Sequence, residues 1–136
     1  MVNSYTNTNV AVASSAAIPF NTNRYVAGCG SYHISGSAAI GLRKCGYYLV
    51  NVNTVSEPEA AGVASIQLYN NGVAVPSAQS AMTVAAAGND TPLSFATIVR
   101  VLDSCNCVDN TVNLTVVNTG LASTYTNAEI SIVKLN

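Results

Sequence analysis

Residues 46–55, GYYLVNVNTV, alternate between apolar and polar from Val50 to Asn53, after the apolar run Tyr47–Val50. In a β-strand successive side chains point to opposite faces, so Tyr48, Val50 and Val52 share one face while Leu49, Asn51 and Asn53 share the other. This is the pattern of a half-buried strand. The same alternation returns at Val112, Leu114 and Val116. No segment long enough for a helix places apolar residues at i, i+3, i+4 and i+7, and β-branched residues dominate wherever apolar residues concentrate.

The alternation predicts strands near residues 9–18, 31–36, 37–43, 46–55, 62–70, 72–75, 79–86, 92–103, 110–118 and 125–135. Turn residues separate them: Asn71-Gly72 is a type I′ hairpin signal, Gly88-Asn89-Asp90 tolerates positive φ, and Asn118-Thr119-Gly120 is a further turn. Two segments are apolar on both faces. Leu93, Phe95, Val99 and Val101 share a face in one, with Ile98 and Leu102 opposite; in the other, Ile130 and Ile132 oppose Val133 and Leu135. A two-sided apolar strand in an antiparallel protein lies between two layers or packs against another subunit.

The 136-residue chain is 49% hydrophobic and only 8% charged, with a net charge of −1. The length suits one domain. So little charge supplies neither the basic footprint of a nucleic-acid protein nor the Lys/Arg cluster of a membrane-surface protein, so neither partner is expected. No window reaches a membrane span, and the N-terminus, MVNSYTNTNVAVASSAAIPF, lacks the basic start and continuous apolar run of a secretory signal. The expectation is an all-β two-sheet antiparallel sandwich that oligomerises, a monomeric immunoglobulin-type sandwich being the alternative.

The stretch SGSAAIGLRKCGYYLVNVNTVS, residues 35–56, resembles the signature region of jelly rolls of the tumour necrosis factor and complement type. There an apolar strand, here carrying Ile40 and Leu42, leads into a Gly-x-Tyr-x-apolar strand, here Gly46, Tyr48 and Val50. The LYNNGVAVP hairpin and the closing NAEISIVKL strand follow in the same order, so the resemblance covers roughly residues 17–136. It implies a jelly-roll domain over 17–136 that assembles as a homotrimer, with residues 1–16 left as an N-terminal arm. In bacteria and phages such domains decorate phage heads and tails or cap collagen-like spore-surface proteins. No Gly-X-Y repeat is present, which favours the phage setting.

Candidate sites are few. Cys29, Cys45, Cys105 and Cys107 lack paired C-x₂-C spacing; reduced thiols, disulfides of unassigned pairing and a metal site stay open, in that order of preference. His33, the only histidine, sits in ordinary strand sequence without a nucleophile motif, so no catalytic role is expected. The carboxylates Glu57, Glu59, Asp90, Asp103, Asp109 and Glu129 form neither a glycosidase pair nor a calcium-loop pattern. Tyr5, Tyr25, Tyr32 and Tyr125 are candidates for surface recognition, since an exposed ring offers apolar area with a hydroxyl.

These readings lead to a non-enzymatic structural protein without cofactor or metal. It is expected to be a trimeric capsid decoration protein on the virion surface, assembled in the host cytoplasm. Ile98, Leu102, Val133 and Leu135 are the candidate trimer seam, and the major capsid protein is the expected partner, bound through the arm. A receptor- or glycan-binding tip and a spore-surface trimerisation module are the alternatives.

Overall fold

The structure is a computed structural model that describes residues 1–103 and 111–136. Among the described residues there are eleven strands and no helix: β1 (Val2–Thr6), β2 (Val10–Val12), β3 (Thr22–Val26), β4 (Ser31–His33), β5 (Ile40–Leu42), β6 (Gly46–Pro58), β7 (Gly62–Asn70), β8 (Val73–Val84), β9 (Thr91–Val101), β10 (Val112–Asn118) and β11 (Ser123–Lys134). They form two antiparallel sheets. The first has the order β3-β1-β11-β6-β9, with β2 also on β11; the second has the order β4-β5-β10-β7-β8.

The alternation in β6 decides how the sheets face each other. Tyr48, Val50 and Val52 point inward from the first sheet beside Val99 and Val101 of β9 and Ile130 and Ile132 of β11. Ile40, Leu42, Ile66, Leu68, Leu114 and Val116 meet them from the second sheet, and all of these are buried. Each such aliphatic side chain contributes about 1.5–3 kcal/mol on burial. Gly46 opens β6 at φ 137°, where a Cβ would fall 2.7 Å from Lys134 Cε and 2.9 Å from the Asn136 carbonyl oxygen, so the start of β6 needs glycine on both counts.

The registers define two ends of the sandwich. Gly46 and Val101, and likewise Leu42 and Val112, are paired at one, called here the near end. Pro58 with Ser123, and Gly62 with Val84, are paired at the far end.

Most predicted strands coincide with observed ones, and the differences have physical reasons. The segments expected at 72–75 and 79–86 are one strand, β8, because its pairing to β7 continues through a register shift that Pro76 and Ser77, the latter at φ 64°, take up. Asn71 and Gly72 form the hairpin turn, both at positive φ. β3 escaped the sequence pattern because it is an exposed edge strand.

Residues 1–16 are not an arm. β1 pairs with β11 on one side and β3 on the other, and Val2 and Val12 belong to the core. The reason is that Ser4 and Thr6 take inward positions that in other strands hold Val or Ile, so β1 has core geometry without an apolar signature. Both hydroxyls are hydrogen bonded, Ser4 to Asn23 and Thr6 to Asn21. We expect truncation of residues 1–7 to abolish the cooperative unfolding transition, because it unpairs β11 and β3 together. The milder Val2→Ala should lower stability by about 2 kcal/mol in denaturant titrations.

Tyr125, expected at the surface, is 1% exposed. It stands on the inward side of β11, and burial pushes its hydroxyl well above the usual tyrosine range. Tyr48 shifts the same way, through burial first and the charge of Cys45 second. A folded-state value above the unfolded one means that the unfolded chain releases a proton that the native chain keeps. Stability should therefore be intact below about pH 10 and fall as the pH rises further. Tyr125→Phe should flatten that alkaline loss in unfolding curves collected from pH 8 to 11.

Candidate functional site

The outward face of the first sheet changes character from one end to the other. Near the near end Val133, Leu49 and Ile98 stand directly opposite one another on β11, β6 and β9, a three-strand apolar row. Ile98 is 58% exposed, and Leu49 and Val133 each 38%. Tyr47, Leu102 and Leu135 lie beside the row and are exposed as well. The C-terminal residues are fixed there, with Leu135 N–H donating to the Tyr47 carbonyl at 2.8 Å and Tyr47 N–H to Asn136 Oδ1 at 2.9 Å. The candidate seam residues Ile98, Leu102, Val133 and Leu135 thus gather on one face around Leu49 and Tyr47, which sequence reasoning had not assigned. The alternation that put Leu49 opposite Tyr48 was the available signal.

Towards the far end the same face turns polar. Asn3 Nδ2 donates to Glu129 Oε1 and to Ser131 Oγ, both at 2.6 Å, and Arg24 pairs with Glu129 at 3.4 Å. Asn53, Ser94, Asn127 and Glu129 line a shallow depression of about 220 Å³ where β11 bulges between Tyr125 and Asn127. The face has an apolar half and a polar half whose one ion pair among the described residues is Arg24–Glu129.

Three of the tyrosines carry arginines. Each arginine of the chain lies over a tyrosine ring: Arg24 over Tyr5 at 5.0 Å, Arg43 over Tyr32 at 4.2 Å and Arg100 over Tyr47 at 5.7 Å. On the outer face of the second sheet Tyr32, Gly41 and Asn113 are in register across β4, β5 and β10. The Tyr32 ring lies flat over Gly41, with its Cε1 2.0 Å from where a Cβ would stand. One ring face thus rests on backbone and the other on Arg43. Of the recognition candidates, Tyr25 alone stays widely exposed with no ring partner among the described contacts, Tyr5 and Tyr32 carry arginines, and Tyr125 is in the core.

His33 is buried and joins the two sheets. Its Nε2–H donates to the Ser37 carbonyl at 2.8 Å, while Nδ1 meets Ser4 Oγ at 3.1 Å and Asn23 Oδ1. Ser4 Oγ also donates to Asn23 Oδ1 at 2.8 Å, Asn23 Nδ2 donates to the His33 carbonyl at 3.0 Å, and Phe20 packs edge-on. A serine beside a histidine nitrogen is half of a nucleophile pair, but Ser4 is wholly buried and the third member is an amide rather than a carboxylate. The cluster clamps β4 to β1 and β3.

Cys29 and Cys45 are free and exposed, while Cys105, Cys107 and Asp109 lie outside the described residues. Among the described residues no three His, Cys, Asp or Glu groups converge as metal ligands. Glu57 at the end of β6 and Glu59 and Asp90 on loops sit at the far end and Asp103 at the near end, and no two of these face each other across a cleft.

At the level of sequence, no family model and no curated protein matches the chain. Solved structures do match its fold. The globular domain of a zebrafish complement 1qA protein superposes with a TM-score of 0.70 at 9% identity, covering 99% of this chain and 96% of that one. The fold is the jelly roll of the tumour necrosis factor and complement type. Eiger TNF from S. frugiperda matches at a TM-score of 0.71 and 14% identity, over 99% and 92% of the two chains. PRD1 vertex protein P5 matches at 0.52 and 16%, over 99% and 96%.

Gly41 is the position on which the Tyr32–Arg43 stack of this jelly roll depends. Gly41→Ala should displace the ring and lower stability by about 1–3 kcal/mol in thermal unfolding. In a Tyr32→Ala background the same substitution should cost less than half as much.

Proposed function

We propose that this chain is a homotrimeric structural protein of a phage particle surface, acting by binding alone. The observation that carries the reading is the Val133–Leu49–Ile98 row: large aliphatic side chains aligned across three strands and exposed on a chain with 8% charge. Such a row is an association surface. Closed three-fold assembly needs two different surfaces on each subunit, one received and one presented. The apolar face of the first sheet is the first. The edge formed by β8 and β9, uncharged from Val73 to Val99 except for Asp90, is suited to be the second.

Ile98, Leu102, Val133 and Leu135 are then seam residues, joined by Leu49 and Tyr47. Burying the row at about 25 cal/mol per Å² drives association against the cost of immobilising three subunits. The likeness to PRD1 vertex protein P5 supports a place on a virion, and decoration of the shell is the finer form of this reading. Attachment through residues 1–16 is no longer part of it, since those residues complete the sandwich.

Light scattering of the purified chain should give three times the 14.0 kDa chain mass. Ile98→Glu combined with Val133→Glu should yield a folded single chain, because the charges fall on the outward face and not in the core. A single-chain mass for the unaltered protein at micromolar concentration would remove the basis of the proposal. Antibody labelling of particles in lysates of producing cells should mark the shell exterior, and label confined to free protein would exclude the virion.

A further inference from the structure

The few charges of this molecule are sorted by end. No Lys or Arg occurs between Lys44 and Arg100 in the sequence, and the registers explain where the rest go. Arg43 and Lys44 occupy the β5–β6 connection, Arg100 stands opposite Tyr47 at the start of β6, and Lys134 lies against Gly46. All four are exposed at the near end. The Met1 ammonium joins them, donating to the Ala27 carbonyl at 2.8 Å beside the β3–β4 connection. Among the described residues, Asp103 stands against these. The far end carries Glu57 at the end of β6, with Glu59 and Asp90 on loops tied together by Gly88 N–H to the Pro58 carbonyl at 2.8 Å, and it holds no lysine or arginine among the described residues. The fifth basic residue, Arg24, sits between the ends and is paired with Glu129, the one ion pair among the described residues.

We propose that the near end is a docking surface for an acidic patch on a partner protein, with Arg43 as its anchor. Arg43 is the best presented cation. Tyr32 supports its guanidinium from below at 4.2 Å, Gly41 keeps that ring flat, and no carboxylate among the described residues occupies its donors. A guanidinium held in one plane presents two parallel N–H groups to a carboxylate and loses less freedom on binding than a loose lysine. The amide of Asn113 and the hydroxyl of Thr111 border the same open depression, of about 530 Å³. Arg24 and Arg100 are also stacked, but on the first sheet, whose face the trimer covers in the reading above. Arg43 is on the other sheet and stays outside.

The proposal rests on the trimer for its strength. Three-fold symmetry with an axis along the strands puts three near ends on one side of the assembly and three acidic far ends on the other. The assembly then has a positive side that meets an acidic surface and a negative side that it repels, which fixes which way it lands. Three weak contacts made together give firm attachment.

The test uses the full chain and a fluorescein-labelled peptide of eight glutamates, followed by anisotropy at ~20 mM ionic strength, where screening is weak. Binding should weaken steeply with added salt. Arg43→Gln with Lys44→Gln should weaken it about tenfold or more. Tyr32→Leu, which keeps every charge, should weaken it severalfold by freeing Arg43, and the far-end change Glu59→Gln should leave it unweakened. Equal binding of an eight-serine peptide, no loss in the Arg43/Lys44 variant, or tighter binding of a heparin fragment than of the peptide would overturn the proposal. Light scattering on the same samples separates the two readings. A three-chain mass without peptide binding rejects the docking surface alone, and a single-chain mass with Arg43-dependent binding rejects the trimer alone.

Discussion

The hydrogen-bonded ladder through β11, β6 and β9 holds the rest of the molecule in place. β6 is paired along nearly its whole length on both sides, from Tyr48 opposite Lys134 and Val99 to Ser56 opposite Tyr125 and Thr91. Each of these strands therefore presents two ordered faces. The inner one supplies Tyr48, Val50, Ile130 and Val99 to the core, and the outer one aligns Val133, Leu49 and Ile98 without any further device. Because side chains alternate with a period of two, a one-residue slip in either pairing would exchange core and surface, so the buried face also fixes the exposed one.

Scarcity of charge has a second consequence, in how the arginines are stored. A guanidinium lying on an aromatic ring gains about 0.5–1 kcal/mol at an exposed site and keeps its N–H groups at the ring edge available. In this chain all three arginines are placed that way, and among the described residues only Arg24 also has a carboxylate. Tyr5 and Tyr32, two of the four tyrosines that look like recognition residues in the sequence, support cations. The chemistry on offer is therefore a positioned charge rather than a bare ring, which fits an acidic protein surface better than a sugar face.

The sandwich closes with polar links as well as apolar packing. Ser4, Asn23 and His33 join the sheets on one side, and Asn118 ties β2 to the β10–β11 connection, with Nδ2 donating to the carbonyls of Val12 at 3.2 Å and Leu121 at 2.9 Å. Buried polar groups of this kind specify one arrangement, because any other leaves donors or acceptors unpaired at about 1–3 kcal/mol each. They show how a chain so rich in Asn, Ser and Thr orders its N-terminal strands with few aliphatic residues, Val2 and Val12 among them.

Strand identity along most of the chain was legible in the sequence, since a period of two needs only neighbouring residues to be read; Tyr48, Val50 and Val52 reveal their face directly. The two-sided character of β9 and β11, and with it the exposed positions of Ile98 and Val133, was legible for the same reason. Three things required the tertiary structure. β1 is a core strand because of the partners that cover Ser4 and Thr6, Tyr125 is buried because of the side of β11 on which it falls just before a bulge, and the charged ends exist because residues as distant as Arg43, Arg100 and Lys134 are brought together by strand pairing. Local alternation is written in adjacent residues, whereas burial and charge at a site are sums over neighbours that only the folded chain supplies.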